Sequence, residues 1–511
     1  MSWVLVILCL LLSSCESRGN QAPQQAGKSP NIIVFYVDDL GYGDIGCYGA
    51  KGVSTPNLDK LASKGIRFTD AHSTASTCTP SRYSLLSGRY AFRNNAAILP
   101  GDAPLLIEPG SYTLPGMLQK AGYKTGVVGK WHLGLGRGNI DWNGAVKPGP
   151  REIGFDYSFI LPATGDRVPT VYLENHHVLN LAKTDHPIVV NYQKKLSGYP
   201  NGLDDPELLR QKADPQHSNT IVNGISRIGY MEGGESALWV DEDFPKVLTE
   251  KAVNFIADAK QNPFFLYFAF HDIHVPRLPS KQFAGKSAMG PRGDVIAQMD
   301  WVTGEVIKYL EKTGIADNTL IIFTSDNGPV LDDGYKDQAE ELLGNHRPAG
   351  PFRGGKYSAY EAGTRVPMIV YWPGKTSRGV SKTPISQVDF YASLASLTGQ
   401  KLAEDEAIDS KNNLEALLDH KKSGSKFFLE ESFTTQIRQG NWKYIEPFNS
   451  SKKIPTFMND KGVEGGFEFY PQLFNLASDK AERKNVAENN PEIVQSLQAE
   501  IDRIRSKKTR E

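Results

Sequence analysis

The sequence predicts an α/β protein in which a large, mostly parallel sheet is sandwiched by helices, with a small C-terminal antiparallel sheet-plus-helix unit after it. Three observations carry this reading. Short apolar runs enriched in aromatic and β-branched residues are bounded by turn residues, as buried strands are. Stretches with helical apolar period lie between them, and strands that alternate with helices imply a sheet covered on both faces. After about residue 425 the texture changes to short strands separated by turns.

In chain order, the buried-strand candidates are residues 32–37, 125–128, 264–270, 320–324 and 367–371. The helical patterns are 57–64, 114–121, 247–259, 294–312 and 388–397. These belong to a large α/β unit spanning 31–425. In the C-terminal unit, 426–511, the strand candidates are 427–431, 436–438, 442–446 and 472–476. A final helix presents Ile493, Val494, Leu497, Ile501 and Ile504 on one face. In sheets of this kind ligands bind beyond the carboxyl ends of the strands. The unusual polar residues of this chain fall there.

The chain has 511 residues, 57 Lys+Arg against 58 Asp+Glu, and a net charge of -1. That length holds one large domain and a smaller one, and the balanced charge argues against nucleic acid as a partner. If the substrate is anionic, positive charge must be gathered locally.

Residues 1–14 read as a signal peptide. The apolar run 4–12 is too short to span a bilayer, and it ends in Leu12-Ser13-Ser14-Cys15, which resembles a bacterial lipobox. An ordinary signal peptide cleaved nearby is the alternative. Residues 15–30 then form a flexible tether carrying lipid on Cys15, so the protein is expected to be an exported bacterial lipoprotein of the periplasm or cell surface. Its membrane contact would be through that anchor only. With Cys9 and Cys15 assigned to export, Cys47 and Cys78 remain. Two cysteines make no disulfide framework; they pair with each other or at least one has another task.

Asp38-Asp39 directly follow the first strand, and Asp326-Asn327 follow the fourth. For one isolated pair, a helix cap plus a solvated carboxylate is the competing reading. Two pairs at two strand ends offer up to four hard oxygen ligands without His or Cys, which selects Ca²⁺, with Mg²⁺ as the alternative, over zinc.

Cys78-Thr79-Pro80-Ser81-Arg82 followed by Leu85-Leu86-Ser87-Gly88 resembles the C-x-P-S-R signature of type I sulfatases, in the alkaline phosphatase superfamily. A structural Cys ahead of a helix starting at Pro80 is the bland alternative. Other blocks match the same family: 31–43, 55–59, Gly129-Lys130-Trp131-His132-Leu133-Gly134, His271-Asp272-Ile273-His274-Val275-Pro276, and Gly355-Lys356 with 361–367. Ile273 stands where Pro is usual and Ala362 replaces one Gly. The segments 442–445 and 473–476 fit the C-terminal unit.

The resemblance implies a sulfuric ester hydrolase, similar to exported bacterial glycan sulfatases, with an alkaline phosphatase-like fold. It implies that a formylglycine-generating maturation enzyme oxidises Cys78 to formylglycine (3-oxoalanine). The hydrated aldehyde would ligate the cation with Asp38, Asp39, Asp326 and Asn327, with Arg82 offsetting the carboxylates. Lys130 and Lys356 would clamp the sulfate, and His274 with Lys356 would protonate the leaving oxygen. Attack would give a covalent sulfate hemiacetal, and His132 would be the base that expels sulfate from it. For the substrate, expected to be a sulfated carbohydrate, the polar candidates are Asp166, Arg167, His177, Asp333 and Arg353, each with ordinary surface polarity as its alternative. Two rival functions remain open at this point. One is a phosphate mono- or diester hydrolase of the same superfamily; the other is an unmatured glycan-binding lipoprotein.

Overall fold

The computed structural model describes residues 29–510 except 260, 451 and 452. The signal segment, Cys15 and nearly all of the tether lie outside the described residues.

The main sheet is built from β1 (Asn31–Val37), β2 (Ile66–Phe68), β3 (Lys124–Lys130), β4 (Tyr157–Leu161), β5 (Leu173–Glu174), β6 (His177–Val178), β7 (Phe264–Ala269), β8 (Thr319–Ser325), β9 (Met368–Tyr371) and β10 (Gly379–Ser381). Its order is β10-β2-β9-β8-β1-β7-β3-β4-β5-β6. The five central strands, β8, β1, β7, β3 and β4, are mutually parallel. Strand β9, expected as one of the buried strands, runs antiparallel to β8, so the parallel region ends there.

Alternation along β1 divides the core in two. Ile32, Val34 and Tyr36 face α2 (Cys78–Ser87), α3 (Leu114–Lys120) and α6 (Phe390–Leu397); Ile33, Phe35 and Val37 face α1 (Pro56–Lys64), α4 (Phe244–Ala259) and α5 (Gly290–Lys312). Every residue of β1 is buried, which is why its sequence is continuously apolar rather than alternating. Helix α2 begins at Cys78 itself, two residues before the Pro80 start considered from the sequence. Pro80 fits within the first turn because no intrahelical bond is required of its missing N–H there.

The C-terminal sheet is antiparallel, in the order β11 (Phe427–Glu431), β12 (Thr435–Gln439), β13 (Trp442–Ile445), β14 (Gln472–Asn475). Leu429, Ile437, Tyr444 and Leu473 pack on Leu497, Ile501 and Ile504 of α7 (Pro491–Ser506). Ile493 and Val494 lie at the margin of this core. Beyond its own hairpins the sheet touches the catalytic unit: Ala75 and Glu431 form a parallel bridge, three residues before Cys78.

Candidate active site

The register of β1 against β8 aligns Val37 with Ser325. The residues that follow, Asp38-Asp39 and Asp326-Asn327, therefore emerge side by side at the carboxyl edge. Asp39 takes a left-handed conformation (φ 61°). Its amide donates to Asp326 Oδ1 at 3.2 Å, and Asn327 Nδ2 donates to Asp39 Oδ1 at 2.8 Å. All four side chains are fully buried, so their charge must be met by neighbours.

Three cations do this in part. Arg82 donates to Asp326 at 2.7 and 3.0 Å, Lys130 donates to Asp38, and Lys356 donates to Asp39 at 3.0 Å. Burial works against ionisation of Asp38, but Lys130, His274 and Arg82 outweigh it and hold the carboxyl well below its usual range. Burial and the Asp38 charge push Asp326 upward. Asp38 Oδ1 and Asn327 Oδ1 are buried without a hydrogen-bond partner. Ligand atoms of Asp38, Asp39 and His274 lie within 4.8 Å of one another. Orphaned hard oxygens beside crowded carboxylates are what a Ca²⁺- or Mg²⁺-type ion would satisfy, so the residues present fit such an ion.

Cys78 opens α2, with Arg82 one turn on. The Cys78 Sγ lies 3.2 Å from His132 Nδ1. The other ring nitrogen, Nε2, lies 2.8 Å from the Leu99 carbonyl oxygen. A carbonyl only accepts, so Nε2 carries the proton and Nδ1 turns a lone pair toward residue 78. Burial, then Lys130 and Arg167, hold His132 well below the usual imidazole range, which keeps it neutral. Burial also raises the Cys78 thiol despite Lys130 and Lys356. Lys130 and His132 owe their position to Gly129 at the end of β3. A Cβ there would sit 1.8 Å from the Ala269 oxygen of β7 (φ 113°).

These groups open into a cavity of about 490 Å³ lined by Cys78, His132, His274, Lys356, Asp333 and Tyr357. Lys356 also donates to Asp333 at 2.8 Å, and the Asp333 and Asp39 charges raise its pKa well above the lysine norm against the cost of burial. His274 Nδ1 is 2.7 Å from the Val275 carbonyl, leaving Nε2 toward Asp39 and Asp333 at 3.8 and 3.9 Å. Burial and the two lysines lower it to about 4.

Further from Cys78, the cavity wall carries Asp166 and Arg167, paired at 2.9 Å. Two sequence candidates stand elsewhere. His177 is exposed on β6 at the outer edge of the sheet, because the β5–β6 hairpin turns the chain away from the strand ends. Arg353 lies over the Tyr360 ring at 4.0 Å and donates to Glu464 at 3.1 Å and to the Glu482 carbonyl. Neither lines the cavity.

Among the cavity residues that escaped the sequence reading are His217, Tyr357 and Lys461. His217 sits between Asp166 (3.5 Å) and Asp214 (2.7 Å), and Lys461 bridges Asp214 and Asp332. No motif marks them; Asp214 is local to His217, but its second partner Asp166 and both partners of Lys461 come from distant parts of the chain.

The sulfatase family model matches residues 30–400. The chain belongs to the sulfatase family. It is 48% identical over 501 residues to an N-acetylgalactosamine-6-O-sulfatase of Bacteroides thetaiotaomicron, covering 97% of both chains. Human arylsulfatase D is 31% identical over 476 residues, covering 86% of this chain and 76% of its own. A solved structure from work on the metabolism of multiple glycosaminoglycans by Bacteroides thetaiotaomicron superposes with a TM-score of 0.91 at 49% identity, covering 94% of this chain and 100% of that one. As a sulfatase, the protein is a sulfuric ester hydrolase, and its mixed α/β architecture is that of the family. The two departures from the family's motifs, Ile273 and Ala362, are both buried.

Proposed function

We propose that the protein releases sulfate from a sulfated carbohydrate, using formylglycine made from Cys78 beside a bound Ca²⁺, and that 6-O-sulfated N-acetylgalactosamine is its preferred class of substrate. The observation that carries the mechanism is the approach of Cys78 to the lone pair of His132 on the wall of a cavity that His274 and Lys356 also line, with Lys130 and Lys356 bonded to the buried carboxylates Asp38 and Asp39 behind it. The sugar rests on the 48% identical relative and what its name says it acts on.

Formylglycine supplies a hydrated aldehyde as nucleophile, and the cation supplies positive charge beside it. Asp38, Asp39, Asp326 and Asn327 would hold the cation. Arg82, fixed by Asp326, keeps the cradle close to neutrality. Lys356 lines the cavity and Lys130 lies behind it against Asp38, and the two would meet the charge that builds on the sulfate oxygens. His132, neutral and oriented by Leu99, removes a proton at residue 78 through Nδ1. Lys356 holds a proton for the leaving oxygen; His274, neutral in the free protein, takes one up as the anionic substrate approaches its Nε2. Asp166, Arg167 and Asp333, which line the cavity, would bond sugar hydroxyls.

Sulfate release from defined sulfated mono- and disaccharides tests the substrate. N-acetylgalactosamine 6-sulfate should be turned over fastest, and a preference for sulfated fucose or a sulfated phenol would overturn that assignment. On one aglycone, a phosphate ester preferred over the sulfate would overturn the sulfate reading. Mass spectrometry of the Cys78 peptide from the native host should show the aldehyde, made by a maturation enzyme acting on this chain, and Cys78→Ala should abolish turnover. An unmodified thiol in active protein would reject formylglycine.

The same proposal takes the protein to be exported and lipid-anchored at Cys15, with residues 1–14 removed, 15–30 as tether, and 31–425 and 426–511 as the catalytic and C-terminal units. The support is the apolar run ending in Leu12-Ser13-Ser14-Cys15; among the described residues no helix is long and apolar enough to cross a membrane. Labelled fatty acid should enter the protein and be lost in Cys15→Ala.

A further inference from the structure

Away from the cavity, the densest set of buried charge lies where the C-terminal sheet meets the catalytic unit. At its centre is Glu361, fully buried. Its Oε1 accepts from Arg365 at 2.7 Å and from Arg438 of β12; its Oε2 accepts from Lys443 of β13 at 3.2 Å. Its backbone amide donates to Glu482 Oε2 at 2.6 Å. Around it, His72 bonds Glu430 of β11 at 2.8 Å and Asp70 at 2.7 Å. Asp70, His72 and Glu361 are close enough to share a metal ion, but two guanidinium groups and an ammonium already occupy the carboxylates, so the cluster needs none.

The cluster has catalytic segments on two sides. Glu361 belongs to the loop 353–365, which carries Lys356 and is closed by the Ala362 amide donating to the Arg353 carbonyl at 2.9 Å. The loop is tied to the approach to Cys78: Tyr357 N donates to Ser76 O at 2.8 Å, and Ser73 N donates to Thr364 O at 2.8 Å. That approach is tied in turn to β11, through Ser76 N to Glu431 O at 2.8 Å and Glu431 N to Thr74 O at 2.9 Å. Residue 78, Lys356 and the C-terminal sheet thus form one braced unit, and Glu361 ties loop to sheet by ion pairs, beside the hydrogen bond from Thr364 to Glu430 of β11.

We infer that Glu361 is a positioning residue for sulfate-ester hydrolysis, holding the Lys356 loop at its working distance from residue 78 through buried ion pairs with Arg438 and Lys443. It touches neither the cavity nor the cation cradle. Its effect would reach the reaction through Lys356, so the inference rests on the reading of Lys356 as a sulfate-binding group.

The experiment uses the full mature chain, with the aldehyde content at residue 78 measured for each variant and N-acetylgalactosamine 6-sulfate as substrate. Glu361→Asp keeps the charge but withdraws the carboxylate by one methylene. It should lower kcat roughly tenfold while KM stays within about threefold, since misplacement by about 1 Å costs up to about a hundredfold. Glu361→Gln should lower kcat further; if that chain fails to fold, Glu361→Asp still decides the matter. Leu497→Ala, a cut in the α7 core of the same unit, gives a matched loss of stability and should leave kcat within about twofold. Unchanged kcat in Glu361→Asp, or an equal loss in Leu497→Ala, would overturn the inference. Lys356→Ala separates the two readings: if it retains full kcat, the role of Lys356 is wrong, whereas a dead Lys356→Ala beside a fully active Glu361→Asp rejects the positioning role alone.

Discussion

His132 approaches Cys78 through Nδ1 at 3.2 Å while its Nε2 is committed to the Leu99 carbonyl. The ring is thus fixed in one tautomer, with its only free lone pair at residue 78. If that lone pair takes the proton that releases sulfate, His132→Ala should lower kcat by about 10²- to 10⁴-fold. The alcohol should appear in a burst equal to the enzyme concentration, followed by slow turnover. A proportional loss of both phases, with no burst, would place His132 in the first half of the reaction instead.

The unpartnered oxygens of Asp38 and Asn327 predict a strong response to metal removal. EGTA should abolish activity and lower the unfolding midpoint, because the carboxylates are left to repel each other. Ca²⁺ at a hundredfold excess over its dissociation constant should restore activity and about 2.7 kcal/mol of stability. Asp38→Asn and Asn327→Ala should each blunt that thermal response, read by calorimetry on protein that need not be active.

His217 gives a pH-dependent contribution of definite sign. Burial disfavours its charged form, but the hydrogen bonds to Asp166 and Asp214 prevail and raise the imidazole to about 9. A folded-state value above the unfolded one near 6.5 stabilises the fold fully below pH 6.5, and that contribution fades as the pH rises through 9. Its size is on the order of 3 kcal/mol. Urea titrations of the native protein and of His217→Gln should therefore differ most at pH 6 and converge above pH 9. A constant difference across that range would refute the charged pairing.

Arg353 and His177 lie outside the cavity, and their replacement tests the boundary of the site. His177→Ala should leave stability within about 0.5 kcal/mol and turnover unchanged. Arg353→Ala should loosen the contact with Glu464 and Tyr360 but leave KM for a monosaccharide sulfate as it is. A tenfold rise in KM for either variant would extend the substrate site to that residue.

The parallel core and the residues just past its strands were legible because burial on both faces writes itself as uninterrupted apolar runs. Asp38-Asp39 and Asp326-Asn327 stood out as charge at the ends of such runs. Strand β9 was found, but its direction was not, since an apolar run carries no sign of orientation. His177 and Arg353 were drawn in by proximity in sequence, and the β5–β6 hairpin and the Tyr360 ring take them elsewhere. His217 and Lys461 were missed for the converse reason. Lys461 acquires meaning only from carboxylates that the fold delivers from other segments, and His217 joins its local partner Asp214 to Asp166 from elsewhere; pairing of that kind has no local signature.

The bridge between Ala75 and Glu431 bears on when the protein can be matured. Cys78 is 2% exposed, and the strand that braces its approach, Phe427–Glu431 of 511 residues, is encoded late in the chain. A growing chain therefore displays residue 78 well before β11 exists to brace the segment that leads to it. Any catalyst that must grip this cysteine has an interval set by synthesis and export, and folding of the C-terminal sheet ends it. Slowing that last step should raise the fraction of aldehyde; hastening it should strand the thiol.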